Sequence, residues 1–355
     1  MTTNALITGW GMYAPSRVLT NDDLSKMVDT TDEWIVSRTG IRERRIAADD
    51  ETTTTLSVNA ARDALAVAGM SPEDLDLVIV GTCSPDYYMP ATAVLVAHEL
   101  GATRAAGFDL MAACSGFVFS LATATAYIRS GLCRNVLVVG VELLSRFLDY
   151  TDRNTCVLFG DGAGAVIVSA SDQPGGLLGL DMYSDGSGKE GIIFPAGGSA
   201  CPTTPQTVAE GGHFVHMAGK EVYRYATRQL AESARSALRD ANLGVDDIDQ
   251  FLFHQANLRI IESVQNAVGI PADKTYLNIE KYGNTSAASV PMALVEAIAD
   301  GRIKPGDRLL MAAFGAGYTA GAAVVEWTAD PARAFLAPGS QTRRGQPQRE
   351  LVAAT

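Results

Sequence analysis

Apolar and polar positions alternate along this chain with two periods. Ala61, Ala64, Leu65 and Ala68 recur at three- and four-residue spacing, which places an apolar stripe on one side of a helix. The run 77–80 that follows is short, continuous and rich in Val and Ile, the pattern of a strand buried on both faces. The same helix-then-strand pattern returns at 234–241 and 251–253, displaced by 173 positions. A further strand-like pair, 136–139 and 309–312, keeps that displacement, and the closing runs 165–168 and 322–325 each follow a cluster of glycines. Each half therefore predicts helix, strand, buried helix and closing strand, an α/β fold built by duplication and arranged in layers.

The turn-forming run 171–176 marks the join, giving halves at 1–171 and 172–328. A tail at 329–355 without periodicity is expected to be mobile. A loop-rich stretch, 196–212, is expected to line or cover a site. Residues 110–128 carry no charge over a length that can span a membrane. Their Ala, Ser and Thr content predicts a helix buried inside a soluble core instead.

Composition removes several function classes. With 47% apolar and 19% charged residues the chain can bury a large core and is not disordered. A net charge of −12 repels phosphate backbones, so no nucleic-acid partner is expected. The first ten residues have neither a basic segment nor a long apolar run, which predicts a cytoplasmic protein without membrane attachment. Five cysteines without C-x-x-C spacing indicate neither a disulfide framework nor a metal site.

One of those cysteines has a different setting. Cys114 sits between a strand-like run and the uncharged helix, where the positive end of a helix macrodipole is expected to lower a thiol pKa from its usual value of about 8.5. Cys83, Cys133, Cys156 and Cys201 read as small buried hydrophobes. His254 ends the strand 251–253, where catalytic groups gather in α/β folds. Asn284 lies in the turn before the helix that matches the Cys114 helix. The duplication predicts that both helix starts approach a pseudo-twofold axis and bring these three groups together. His98, His213 and His216 have no clustered ligands and are expected to be non-catalytic.

Five strings add a resemblance. They are Asp32-Glu33-Trp34-Ile35-Val36-Ser37-Arg38-Thr39-Gly40-Ile41, Ala112-Ala113-Cys114-Ser115-Gly116-Phe117, Phe159-Gly160-Asp161-Gly162-Ala163-Gly164-Ala165, His254-Gln255-Ala256-Asn257 and Tyr282-Gly283-Asn284-Thr285-Ser286-Ala287-Ala288-Ser289. In this order, over about residues 4–327, the chain resembles β-ketoacyl-acyl carrier protein synthase III of the thiolase superfamily. The resemblance implies a thiolase-like α-β-α-β-α fold with internal pseudo-twofold symmetry and a decarboxylative condensation of an acyl-CoA primer with malonyl-acyl carrier protein. It makes Cys114 the nucleophile, His254 and Asn284 the donors to an enolate, and the backbone N–H groups of Cys114 and Ala316 the oxyanion hole.

The resemblance further assigns CoA binding to Trp34, Arg38, Arg153 and Asn257, the acyl pocket to Phe159, Phe314 and a partner subunit's Met89, and carrier-protein docking to Arg224 and Arg259. It implies a homodimer, and no cofactor beyond acyl-CoA as substrate. The chain departs from the family pattern in three places: Asn266 and Ala267 stand where two lysines are found, Ala320 replaces a Trp, and the tail has no counterpart. Two alternatives stand beside condensation in fatty-acid initiation. One is a secondary-metabolism relative with an unusual primer or acceptor; the other is acyl transfer to an alcohol or amine without decarboxylation. A non-catalytic subunit would not need Cys114.

Overall fold

The computed structural model describes residues 3–333. Its first sheet contains β1 (Asn4–Tyr13), β2 (Leu77–Gly81), β3 (Ala106–Leu110), β4 (Asn135–Glu142) and β5 (Gly162–Ser171) in the order β1-β5-β4-β2-β3. The second contains β6 (Gly176–Ser184), β7 (Gln250–Phe253), β8 (Arg308–Gly315) and β9 (Thr319–Glu326) in the order β7-β8-β9-β6. In both, the parallel pair (β2 with β4, β7 with β8) is followed by an antiparallel closing strand. Where the first sheet adds β3 beside β2, the second has only a single parallel bridge from Phe251 to Thr275.

Helices Gly116–Arg129 and Ser289–Ala299 pack between the sheets and share one core with residues of both, including Ile79, Val138, Leu252 and Met311. Thr53–Ala68 and Thr92–Leu100 cover the outer face of the first sheet, and Gly219–Asp240 and Leu258–Val268 that of the second. This is the duplicated five-layer architecture expected from the sequence. The displacement of 173 survives in detail: β4 and β8 share it at both ends, as do the 3-10 turns Ala113–Ser115 and Ala288-ending Ser286–Ala288. Ala113 and Ser286, equivalent by that displacement, have φ of 46° and 47°, a left-handed conformation rare outside glycine. A strained feature kept in both halves points to the turns that carry it.

The uncharged run 110–128 is divided. Leu110 ends β3, residues 111–115 form the turn, and the buried helix starts only at Gly116. No helix among the described residues is long and apolar enough to cross a membrane. The tail expected at 329–355 lies outside the described residues from 334 onward.

Two glycines let the halves meet. A Cβ on Gly140 of β4 would strike the backbone oxygen of Ala287, and one on Gly315 of β8 would lie 2.6 Å from the Cys114 backbone nitrogen. Each half's turn thus sits against a strand of the other half without an intervening side chain. Nearby, the buried guanidinium of Arg44 donates to the carbonyls of Leu19 and Val157 and to Asn21 Oδ1 at 2.8–3.1 Å. Asp161 accepts from Ala47 N–H, Ser145 N–H and Ser145 Oγ. These ties hold the segment 157–161 beside the interface of the halves.

Candidate active site

Cys114 lies in the turn between β3 and the central helix and is only 9% exposed. His254 continues β7, its N–H donating to the Ala312 carbonyl at 2.8 Å. The next residue locks it in place. Gln255 donates its N–H to Ser289 Oγ at 2.6 Å, donates its side-chain amide to the Phe253 carbonyl, and accepts from Asn278 N–H. Asn284 is fixed by its own backbone, which donates to the Leu158 carbonyl at 2.8 Å and accepts from Gly160 N–H at 3.0 Å. Its Oδ1 accepts from Ser286 N–H at 2.9 Å, leaving Nδ2 as the donor that can face a ligand.

All three residues line one cavity of about 1100 Å³. By the 173 displacement Asn284 corresponds to Met111 and Cys114 to Ala287, so the two functional side chains occupy different steps of equivalent turns.

Burial dominates the electrostatics. It pushes the Cys114 thiol up to about 12, against the opposing pull of a Ser286 side-chain hydrogen bond and of the cysteine's own N–H. The lowering expected from the macrodipole is therefore overturned. Cys114 stands in a 3-10 turn ahead of the helix, and the desolvation of its sulfur is the larger effect. Burial also pushes His254 down to about 3, and its Nδ1 is enclosed without a partner. The imidazole is neutral at physiological pH, with Nε2 the nitrogen left for a ligand.

Among the described residues, the charged ones lining the cavity are Arg38, Arg153, Lys189, Lys220 and Arg259, and no carboxylate is among them. On a chain of net charge −12, that clustering marks an anion-binding mouth. Trp34 forms part of it on the helix Asp32–Thr39, whose Thr31 cap accepts from the Trp34 N–H. The guanidinium carbons of Arg38 and Arg153 lie 4.7 and 5.2 Å from its ring centroid. Arg153 is held by the Asp29 backbone carbonyl at 2.9 Å. Among the described residues no cluster of His, Cys, Asp or Glu can hold a metal.

Comparisons with known proteins give the family. Residues 108–186 match the family model described as 3-Oxoacyl-[acyl-carrier-protein (ACP)] synthase III, and residues 238–327 match its C-terminal model. Cys114 falls in the first span; His254 and Asn284 fall in the second. The beta-ketoacyl-[acyl-carrier-protein] synthase III of Roseiflexus castenholzii is 50% identical over 325 residues, covering 92% of this chain and 98% of that protein. The chain belongs to the 3-oxoacyl-[acyl-carrier-protein] synthase III family. The crystal structure of the synthase III from Aquifex aeolicus is similar at a TM-score of 0.84 and 45% identity, covering 92% of this chain and all of that one. The priming β-ketosynthase of the R1128 polyketide pathway is similar at 0.86 and 39%, covering 93% and 98%.

As a member of that family the chain is a condensing enzyme of acyltransferase type. Of the residues named from its sequence, Trp34, Arg38, Arg153, Asn257, Phe159, Phe314 and Ala316 line the cavity beside the three central groups. Arg259 is exposed at the lining, whereas Arg224 is exposed on the helix Gly219–Asp240 outside it. Met89 is 83% exposed and does not line this chain's cavity. The stretch 196–212 contributes no lining residue; its flanks, from Lys189 to Phe194 and from Val215 to Tyr223, do. His98, His213 and His216 lie outside the lining, and all five cysteines are free.

Sequence reasoning missed Lys189, Lys220 and Glu142. The lysines fall in segments without a motif. Glu142 ends an apolar strand and reads as a strand terminus, yet it is fully buried and accepts from Ser84 Oγ at 2.5 Å, Ser286 Oγ at 3.0 Å and Cys83 N–H at 3.2 Å. A charged residue directly after an apolar strand run was the available signal.

Proposed function

We propose that Cys114, His254 and Asn284 carry a two-stage condensation in which an acyl-CoA primer is joined to malonyl-acyl carrier protein. The observation that carries this reading is their convergence on one cavity whose charged lining residues are all cations. Phosphates of CoA and of a carrier protein's phosphopantetheine suit that mouth. In the first stage the Cys114 sulfur attacks the primer thioester and CoA leaves. The N–H groups of Cys114 and Ala316 receive the oxyanion, and glycine at 315 keeps the approach to the Cys114 N–H open.

In the second stage the malonyl thioester loses CO₂, and its enolate oxygen accepts from His254 Nε2 and Asn284 Nδ2. Neutral donors suit this step, because they stabilise charge as it develops without first having to lose a proton. Burial of His254 and the fixed amide of Asn284 support that role. The enolate carbon then attacks the acyl-Cys114 and releases a β-ketoacyl-acyl carrier protein. No step invokes a cofactor, since acyl-CoA is consumed as a substrate.

Trp34 and Arg153 are proposed to clamp the nucleotide end of CoA. Arg153→Ala should raise the half-saturating acyl-CoA concentration for loading about tenfold, or about 1.4 kcal/mol, and leave the limiting rate unchanged. An acyl-N-acetylcysteamine thioester, which lacks the nucleotide, should load equally well in both enzymes. Equal damage with both substrates would remove the clamp.

A homodimer is proposed on two features: Tyr87, Tyr88 and Met89 project from the surface, and β3 leaves the edge of the first sheet unpaired. Met89 would then shape the partner's acyl pocket. Light scattering should give twice the chain mass of 37.4 kDa; a value equal to one chain contradicts the arrangement. Arg224 and Arg259 are proposed for carrier-protein docking, with exposed Asn266 and Ala267 weakening that patch relative to the family. Cytoplasm is the proposed compartment, where both substrates are made. Priming of a polyketide-type chain is a second reading, favoured by the likeness to the R1128 priming enzyme, and the identity of the acyl-CoA that loads separates the two.

A further inference from the structure

The Cys114 thiol must lose its proton to attack, and His254 is a poor acceptor. It is enclosed in apolar surroundings that disfavour an imidazolium, and its Nδ1 has no partner to stabilise one. A different acceptor is reached through Ser286. Ser286 lines the cavity with Cys114 and interacts with its thiol, and its hydroxyl donates to Glu142 Oε1 at 3.0 Å, so a thiol proton passed to Ser286 Oγ has a path to the carboxyl.

The surroundings of Glu142 are those of a carboxylate. Ser84 Oγ is at 2.5 Å and already accepts from Leu143 N–H, so its own proton points at Glu142. Thr82 Oγ1 accepts from Ser84 N–H and likewise has its proton free for Glu142, at 3.3 Å. Cys83 N–H lies 3.2 Å from both oxygens, and the Cys83 thiol donates at 3.2 Å. Burial raises the affinity of this group for a proton while the donors lower it, which leaves a base stronger than an exposed carboxylate. The pair joins the two halves, since Glu142 lies in β4 and Ser286 in the second half's turn, 144 residues away in sequence.

We propose that Ser286 and Glu142 form a proton relay for Cys114 that receives the thiol proton during loading and returns it to the departing thiolate. As sulfur bonds to the thioester carbon, the S–H proton passes to Ser286 Oγ and the Ser286 proton passes to Glu142. When the tetrahedral adduct collapses, the bond from carbon to the CoA sulfur breaks, and the same path delivers a proton to that sulfur. The products are acyl-Cys114 and CoA thiol, and Glu142 is again ionised. The relay leaves His254 neutral for the second stage.

This inference rests on Cys114 being the nucleophile. The test follows the two half-reactions separately in the full-length protein, with a panel of acyl-CoAs for loading and malonyl-acyl carrier protein for discharge of enzyme that has been loaded to completion. If no acyl-CoA of a panel that includes acetyl-CoA places an acyl group on Cys114 of the parent enzyme, the nucleophile assignment itself fails. Given loading, Glu142→Gln, which keeps size and one acceptor oxygen but removes the proton-accepting charge, should lower the limiting loading rate by about 100-fold, the low end of general-base contributions, without changing the half-saturating acyl-CoA concentration.

Ser286→Gly removes the hydroxyl while suiting the backbone, so it should fold at least as stably and show the same defect. The double variant should load no more slowly than the slower single one, because both residues serve one path. Discharge by malonyl-acyl carrier protein should stay within about twofold of the parent. Loading at the parental rate in Glu142→Gln overturns the relay, and so does an equal loss in loading and discharge, which marks a purely structural carboxyl.

Discussion

An Asn284→Ala enzyme is expected to load its acyl group and then stall. The Asn284 amide is oriented by Ser286 N–H so that its Nδ2 is free toward the cavity, and a neutral N–H donor has its largest effect where negative charge develops. In the first stage that charge develops at the thioester oxygen near the Cys114 N–H. In the second it develops on the malonyl enolate, which is assigned to Asn284 and His254. Removing one such donor is expected to slow decarboxylative condensation by about 10²–10³-fold. Asn284→Asp makes the test sharper, since it keeps an oxygen for Ser286 N–H but presents negative charge to the enolate. It should condense no faster than the alanine variant while loading normally. Rates of acyl transfer and of CO₂ release, measured separately, check both; equal loss of loading and condensation contradicts the division of roles.

Cys114→Ala should show the complementary defect. Without the sulfur no acyl-enzyme forms, so acyl-CoA should produce no mass shift and condensation should fall by more than about 10³-fold. The two enolate donors remain, however, and Cys114 is separated from them as a distinct side chain on the turn after β3. Malonyl-acyl carrier protein is therefore expected to lose CO₂ and give acetyl-acyl carrier protein without forming a new carbon–carbon bond. Persistence of an acyl adduct in this variant contradicts the assignment, and the place to look is Cys83, which lines the same cavity. Burial raises the Cys83 thiol well above its usual range, so no such adduct is expected.

Much of this arrangement was legible because the duplication repeats local signals. Strand runs 136–139 and 309–312 recur at the displacement that β4 and β8 keep at both ends, and the helices after the Cys114 and Asn284 turns begin at equivalent positions. Local pattern could place Cys114 before a helix but could not weigh the helix end against burial of its sulfur. That balance depends on tertiary burial, in a cavity whose lining comes from both halves, including Phe159, His254 and Phe314. Glu142 was illegible for a similar reason: its partners lie at Thr82–Ser84 and at Ser286, and no nearby residue announces them. The stretch 196–212 does not line the cavity, because Gly and Pro mark a loop without saying which way it faces. Lys189 and Lys220 have no motif, and their meaning comes only from sharing a mouth with Arg38, Arg153 and Arg259.

The central claim is that Cys114 holds the acyl group between two stages performed in one cavity. Peptide-level mass spectrometry after loading with a panel of acyl-CoAs, followed by a chase with malonyl-acyl carrier protein, tests it most directly. The account predicts an acyl mass on the peptide that contains Cys114, discharged by the chase with release of CO₂ and appearance of a β-ketoacyl-acyl carrier protein. An acyl group on any other residue, or one that stays on Cys114 through the chase, contradicts it.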